Sequence, residues 1–238
     1  MVDLKEEPKY ERLRKLGQKL QIPIPEAFWT LEVFGKDGNL TKEYNQRGHS
    51  WVRNAYNILF CQMAAKIPGD DTFAAGKLSL RDTGGTVQYS AIYPINYSYS
   101  SNIDLAATDH GFIADSGDDS SGIVIGIGTN AESFEDYVLQ TPVTNGTTSG
   151  KISYIAQSTH SITYTAGTKV LKSDFVRYFN NNSGGSIVVS EVGLVTDISI
   201  YSVSYNILVS RDLLGATVAV ADTGQLKVTY TIQITYPG

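Results

Sequence analysis

His49, His110 and His160, one cysteine and a few acidic clusters are the side chains of this chain that chemistry could recruit. The histidines stand far apart, with no H-E-x-x-H pair and no cysteine partner at zinc spacing, so the sequence predicts no zinc site. Cys61 is the single cysteine, which excludes an internal disulfide; among Ile58, Leu59, Phe60 and Met63 it is expected to be a buried thiol. The stretch "DSGDDSSG" clusters Asp115, Asp118 and Asp119, hard oxygen ligands of the kind calcium takes. Their spacing is not that of a D-x-D-x-D-G loop and no bidentate glutamate follows, so a solvated acidic loop is the reading. "GIVIGIGTNAES" satisfies G-x-G-x-x-A at Gly126, Gly128 and Ala131. A dinucleotide site needs a full helix there and a second parallel strand; "AESFEDYVL" is at most a turn of helix and "TPVTNGTTSGK" is a loop. Glu135 and Asp136 are adjacent, so they diverge rather than face each other across a bond as glycosidase acids do. No G-x-S-x-G elbow is present. The expectation is a protein that is not an enzyme and carries no cofactor or metal.

Two aromatic or apolar sets suggest binding instead. Tyr89, Tyr93, Tyr97 and Tyr99 in "YSAIYPINYSYS" fall on one side of an extended strand, as sheet packing, a subunit interface or a sugar-stacking ligand surface. Tyr10, Leu13, Leu16 and Leu20 line one side of a helix in "KYERLRKLGQKL". Residues 1 to 20 carry Lys5, Lys9, Arg12, Arg14, Lys15 and Lys19 against Asp3, Glu6, Glu7 and Glu11, a balance of +2; with a total of −5, the remainder carries −7. Such a short helix needs a surface to pack on, either its own domain or a neighbouring protein.

These candidates sit on a β-rich frame. A chain of 238 residues with 42% hydrophobic content can bury one large core. Residues 1 to 28 read as an N-terminal arm, ending in the extended "IPIPEAF", and residues 29 to 238 as one domain. "TLEVFGKDGNLTKEYN" predicts a hairpin about Lys36-Asp37-Gly38, and Ser50 is placed to cap a helix from Trp51 to about Lys66, with Trp51, Ala55, Leu59 and Met63 on one face. Beyond residue 77 the period becomes two, most clearly in "LKVTYTIQITY", where Leu226, Val228, Tyr230, Ile232, Ile234 and Tyr236 share a face. About ten short strands with one inserted helix predict a mainly β fold: an antiparallel β-sandwich, jelly-roll-like or immunoglobulin-like.

Within that frame "FVRYFNNNSGGSIVVSEVGLV" sets an acid, Glu191, inside an apolar strand. A lone buried carboxylate is costly, so Glu191 is expected to pair with Arg177 or Arg211. The Asn180 to Gly185 run predicts a tight connection with positive φ at Gly184 or Gly185. The net charge of −5 gives no broad attraction for nucleic acid, and no apolar run of membrane-spanning length or secretory leader is read.

Three pieces from about residue 122 onward resemble a family of tailed-bacteriophage virion structural proteins. "GIGTNAESFEDYVLQTPV" is similar to its glycine-threonine turn and Asp-Tyr-x-Leu segment, through Gly126, Gly128, Thr129, Asp136, Tyr137 and Leu139. "RYFNNNSGGSIVVSEVGL" resembles an Arg-x-Phe-x-Asn-Asn-Ser-Gly stretch leading to Glu-Val-Gly-Leu, through Arg177, Phe179, Asn181, Asn182, Ser183, Gly184 and Glu191 to Leu194. "LVSRDLLGATVAVADTGQLKVTYTI" matches at Arg211, Asp212, Gly224 and Thr229 to Ile232. The resemblance implies a capsid-surface (decoration), neck or tail protein of the virion, assembled in the host cytoplasm. It also implies other virion proteins as partners, a homo-oligomer with a trimer favoured, and no catalysis. The alternative is a receptor- or carbohydrate-binding module of a phage fibre, using the tyrosines.

Overall fold

The alternating segment near the C-terminus becomes the middle of the larger sheet. In the computed structural model, which describes residues 8–64, 79–88, 112–157, 161–200 and 203–236, strand β11 (Gln225–Thr235) pairs antiparallel with β1 (Ile24–Phe34) on one side and β8 (Val170–Asn180) on the other. Leu226, Val228 and Tyr230 are buried as the alternation predicts, against Trp29, Leu31 and Val33 of β1. Each such side chain contributes about 1.5–3 kcal/mol on full burial. The pattern fades at the end of the strand, where Thr235 is buried and Tyr236 is exposed. Strand β2 (Leu40–Gly48) extends the sheet beyond β1 through the predicted hairpin, whose turn holds Gly38 at φ 76°. On the far side, β6 (Ser153–Tyr154) and β7 (Ser161–Thr165) pair with opposite ends of β8.

The second sheet has the order β10 (Val203–Val220), β9 (Ile187–Ile200), β5 (Gly122–Gly126), all antiparallel. Its inner face meets the first sheet in one core that joins Trp29, Leu31 and Tyr230 to Val189, Val192 and Leu194. The protein is therefore mainly β, with packed antiparallel sheets in a β-sandwich. Strands β9 and β10 are long rather than short, and residues 207–212 are buried without alternation. Both faces of β10 are covered there: one by the core, the other by the loop after β5, whose Asn130 and Ala131 carbonyls accept hydrogen bonds from Arg211. A small ribbon, β3 (Leu80–Arg81) with β4 (Val87–Gln88), completes the eleven strands of the described residues.

Two helices flank the sheets. Helix α1 (Pro8–Leu20) ends at Gln21, φ 58°, with the Ile22 N–H donating to the Gly17 carbonyl at 2.9 Å. The extended path assigned to the arm belongs to the sheet, since Ile24 already pairs with Thr235. Helix α2 (Arg53–Ala64) starts two residues later than the Ser50 cap predicts. Trp51 instead bridges to Ser210 and the Val52 N–H donates to the Val209 carbonyl, so strand pairing captures the residues meant for the first turn. The helix packs through Ala55 and Ile58, with Val52 buried just before it, whereas Leu59 stays exposed, contrary to the four-residue spacing from Trp51. Cys61 lies in α2, and no side-chain placement is described for it.

Candidate functional site

Strand neighbours decide the partner of Glu191. It sits opposite Leu213 on β10, which places it diagonally beside Arg211, and Arg211 Nε donates to Glu191 Oε2 at 2.8 Å. Arg211 also reaches Asp136 at 2.8 Å. Burial works against the Arg211 charge, but the hydrogen bonds to Asp136 and Glu191 outweigh it and raise its pKa. Three backbone N–H groups complete the carboxylate's shell: Gly128 at 3.0 Å, Gln140 at 3.1 Å and Thr141 at 2.7 Å. The G-x-G-x-x-A match follows from this arrangement. A Cβ on Gly126 or Gly128 would stand 2.5 or 2.4 Å from Glu191 Oε1. The glycines make room for an internal carboxylate, and Gly126 ends an antiparallel strand with no helix after it.

Arg177 lies in the other sheet and does not pair with Glu191. Its guanidinium, fully buried, donates to the carbonyls of Ile155 (3.0 Å), Ser121 (2.8 Å), Ile123 (3.0 Å), Asp115 (3.1 Å) and Asp118, and its face lies 4.8 Å from the Tyr154 ring. Burial lowers its pKa to about 10. The acidic loop is thus held through its backbone. Its carboxylates are used locally: Asp118 accepts from Ser120 and Ser121, and Asp119 accepts from the Asn145 N–H at 2.7 Å. Nothing in that geometry gathers the carboxylates of Asp115, Asp118 and Asp119 around one point.

The run after β8 turns as predicted, with Gly184 at φ 78° and Gly185 outside the left-handed region. Asn181, buried in the turn, donates to the Gly185 and Val220 carbonyls and accepts from Ser183, tying the β8–β9 turn to the end of β10. Tyr137 stacks on Arg81 at 3.8 Å, and Leu139 is in the core. Most residues that carry the phage-family resemblance therefore hold the fold together, while Asn182 and Gly224 also line a cleft beside the β8–β9 turn.

One cluster escaped sequence reasoning. His49, Glu132 and Asp212 meet from the end of β2, the loop after β5 and β10, with one ligand-type atom from each within 4.8 Å of the others. His49 Nδ1 lies 3.1 Å from Asp212 Oδ1 and 3.2 Å from the Arg47 carbonyl oxygen, and Nε2 lies 3.0 Å from Glu132 Oε2. Burial disfavours the Asp212 charge, but the His49 ring and backbone, Trp29 and Ser210 hold its pKa below the usual range. The hydrogen bond to Asp212 raises His49 to about 9, so at neutral pH both ring nitrogens are occupied by protons. A metal ion would have to displace one of them. Ser210, His49 and Asp212 do not form a catalytic triad either: Ser210 Oγ donates to Asp212 at 2.8 Å, which puts the acid, not the imidazole, beside the hydroxyl. The only sequence trace of the cluster was the Arg-Asp pair of the resemblance.

The arrangement gives a pH prediction. His49 has a folded pKa above its unfolded 6.5, so its stabilisation is complete below pH 6.5 and is lost as pH rises through about 9. The ring is 45% exposed, and solvent screening holds the effect to about 1 kcal/mol. Melting temperatures of wild type and His49→Gln are expected to differ at pH 6.5 and to converge by pH 9.5. A constant difference would show that the ring does not titrate with folding.

The remaining candidate is a surface. Helix α1 rests on β1 through Gly17, whose missing Cβ would meet Ile24, and through Arg14, 3.2 Å from Glu26; Arg47 covers the Tyr10 ring at 4.0 Å. Of the predicted stripe only Tyr10 turns inward, while Leu13, Leu16 and Leu20 remain about half exposed. Between the helices lies a cleft of about 280 Å³, lined by Tyr10 and Leu13, by Trp51, Tyr56 and Leu59, and by His49. Tyr89, Tyr93, Tyr97 and Tyr99 lie outside the described residues, as do His110 and His160. No described helix is long and apolar enough to cross a membrane. The sandwich with this uncovered helical surface defines the class of protein, and no family model, curated protein or solved structure matches the chain.

Proposed function

We propose that the protein is a structural component of a tailed-phage virion, on the capsid surface or in the neck or tail, acting through self-association and docking on other virion proteins. One observation carries the docking: α1 touches its own sheet through Tyr10, Arg14 and Gly17 and leaves its leucines uncovered. An apolar stripe on a helix bound to its own domain by so few contacts is available to a neighbour. The resemblance of the β5, β8–β9 and β10–β11 segments to virion proteins supplies the setting. Most of the residues it rests on are structural, in keeping with a scaffold role.

The test is removal of residues 1–22, which stops short of the Ile24–Thr235 pair. Glu26 keeps Arg47 at 2.7 Å and Gln233 at 3.1 Å, so the body should fold with a loss of about 1 kcal/mol or less. The truncated protein is expected to be absent from particles assembled in its presence. Full incorporation of a folded truncation would end the docking role of α1.

A further inference from the structure

Two sets of large apolar side chains stay between 45% and 56% exposed: Leu13, Leu16, Leu20 and Ile22 on α1 and the turn after it, and Tyr56, Leu59, Phe60 and Phe134 on α2 and the adjoining loop. The two sets meet at one cleft, which Leu13, Tyr56 and Leu59 line, and Phe134 adjoins it 5.7 Å from Tyr56, ring to ring. Eight half-exposed large side chains offer roughly 600–800 Å² of apolar surface, close to what one partner contributes to a standard interface.

Charge divides the surface. Helix α1 carries Lys9, Arg12, Arg14, Lys15 and Lys19 against Glu11, a net +4; with −5 for the whole chain, everything else carries −9. The second set adjoins Glu132 and Glu135 in the loop that bears Phe134, where Glu132 meets His49 at 3.0 Å and Glu135 pairs with Arg53, whose guanidinium lies 5.5 Å from the Phe134 ring. Packing α1 on another α1 would bring +4 against +4. Packing α1 on the α2 and Phe134 region of another molecule avoids that repulsion and sets +4 against a remainder of −9.

We infer that a second copy of this chain covers the surface, with α1 of each copy lying across α2 and Phe134 of the other about a two-fold axis. Such a pair satisfies both apolar sets at once, because a two-fold interface uses the same self-complementary patch on both subunits. The inference rests on the self-association in the proposed function and names its surface, with a two-fold pair in place of the trimer that the resemblance implies.

Light scattering of the full chain over a concentration series is the experiment, with Leu16→Glu and Leu59→Glu as variants. Both positions are already half exposed, so the folded body is expected to keep its circular dichroism and a cooperative melt, lowered only by the loss of dimerisation. Wild type should have a dimer's mass, and each variant should weaken dimerisation at least tenfold. Mixing the two variants restores one intact α1–α2 contact of the two, so heterodimer should form more tightly than either homodimer. High salt should weaken the wild-type dimer, since opposite charges face each other. A monomeric wild type, a trimer, or an oligomer insensitive to both variants would overturn the inference. A monomer that still joins particles would do so while leaving virion docking intact, and a dimer that never joins them would fail the docking role alone.

Discussion

Glu191→Ala is expected to destabilise the protein by about 3–5 kcal/mol, because it leaves Arg211 buried without its inner partner. In a protein of this size that lowers the melting temperature by roughly 6–20 °C. The lost carboxylate also orphans the N–H groups of Gly128, Gln140 and Thr141. For that reason the double variant Glu191→Leu with Arg211→Met should recover only part of the loss: it removes the unpaired charge but not the three unsatisfied donors. Glu191→Gln should fall between, since its amide oxygen still accepts while its charge is gone. Equilibrium denaturation checks the order. A Glu191→Ala protein within 1 kcal/mol of wild type would mean that the loop after β5 rearranges freely and that the carboxylate is not its anchor.

Arg177→Met is the second large effect, about 3 kcal/mol or more, and it acts elsewhere. Five carbonyls from Asp115, Asp118, Ser121, Ile123 and Ile155 lose one shared donor. Buried acceptors without partners cost about 1–3 kcal/mol each when water cannot replace the bond. Part of the set faces the loop and can rehydrate, so the total stays below the sum. Arg177→Lys should recover little, because an ammonium cannot span five acceptors as the planar fork does. Amide exchange should quicken first over Asp115 to Ile123, whereas in Glu191→Ala it should quicken first over Gly128 to Thr141. The same exchange pattern in both variants would contradict two separate anchors.

These two residues also mark where sequence reasoning stopped. An acid inside "SIVVSEVGLV" announces a buried partner by its chemistry alone, yet Arg177 and Arg211 were equal candidates, both basic and both within matched segments. Sheet order separated them: Arg211 is on β10 beside β9, and Arg177 is on β8 in the opposite sheet. The second role, a guanidinium serving only carbonyls, has no sequence signal because every residue supplies a carbonyl.

Local patterns were enough wherever the cause is local. Alternation at Leu226, Val228 and Tyr230, the glycine turn at Gly38, positive φ at Gly184 and the amphipathic run before Ile22 all follow from backbone sterics and side-chain period over a few residues. Tertiary structure decided the rest. It turned Tyr10 inward and left Leu13, Leu16 and Leu20 out, because Gly17 lets the helix approach β1 on a different face from the one the leucines define. It delayed α2 to Arg53, because a bulge in β10 between Leu208 and Ser210 offers Trp51 and Val52 strand partners about 160 residues away in sequence. It also brought His49 to Asp212 and Glu132, and made Gly126 and Gly128 the seat of a carboxylate instead of a phosphate. Each of these depends on which strands become neighbours and in what register, and that is settled by packing across the whole core rather than by any segment alone.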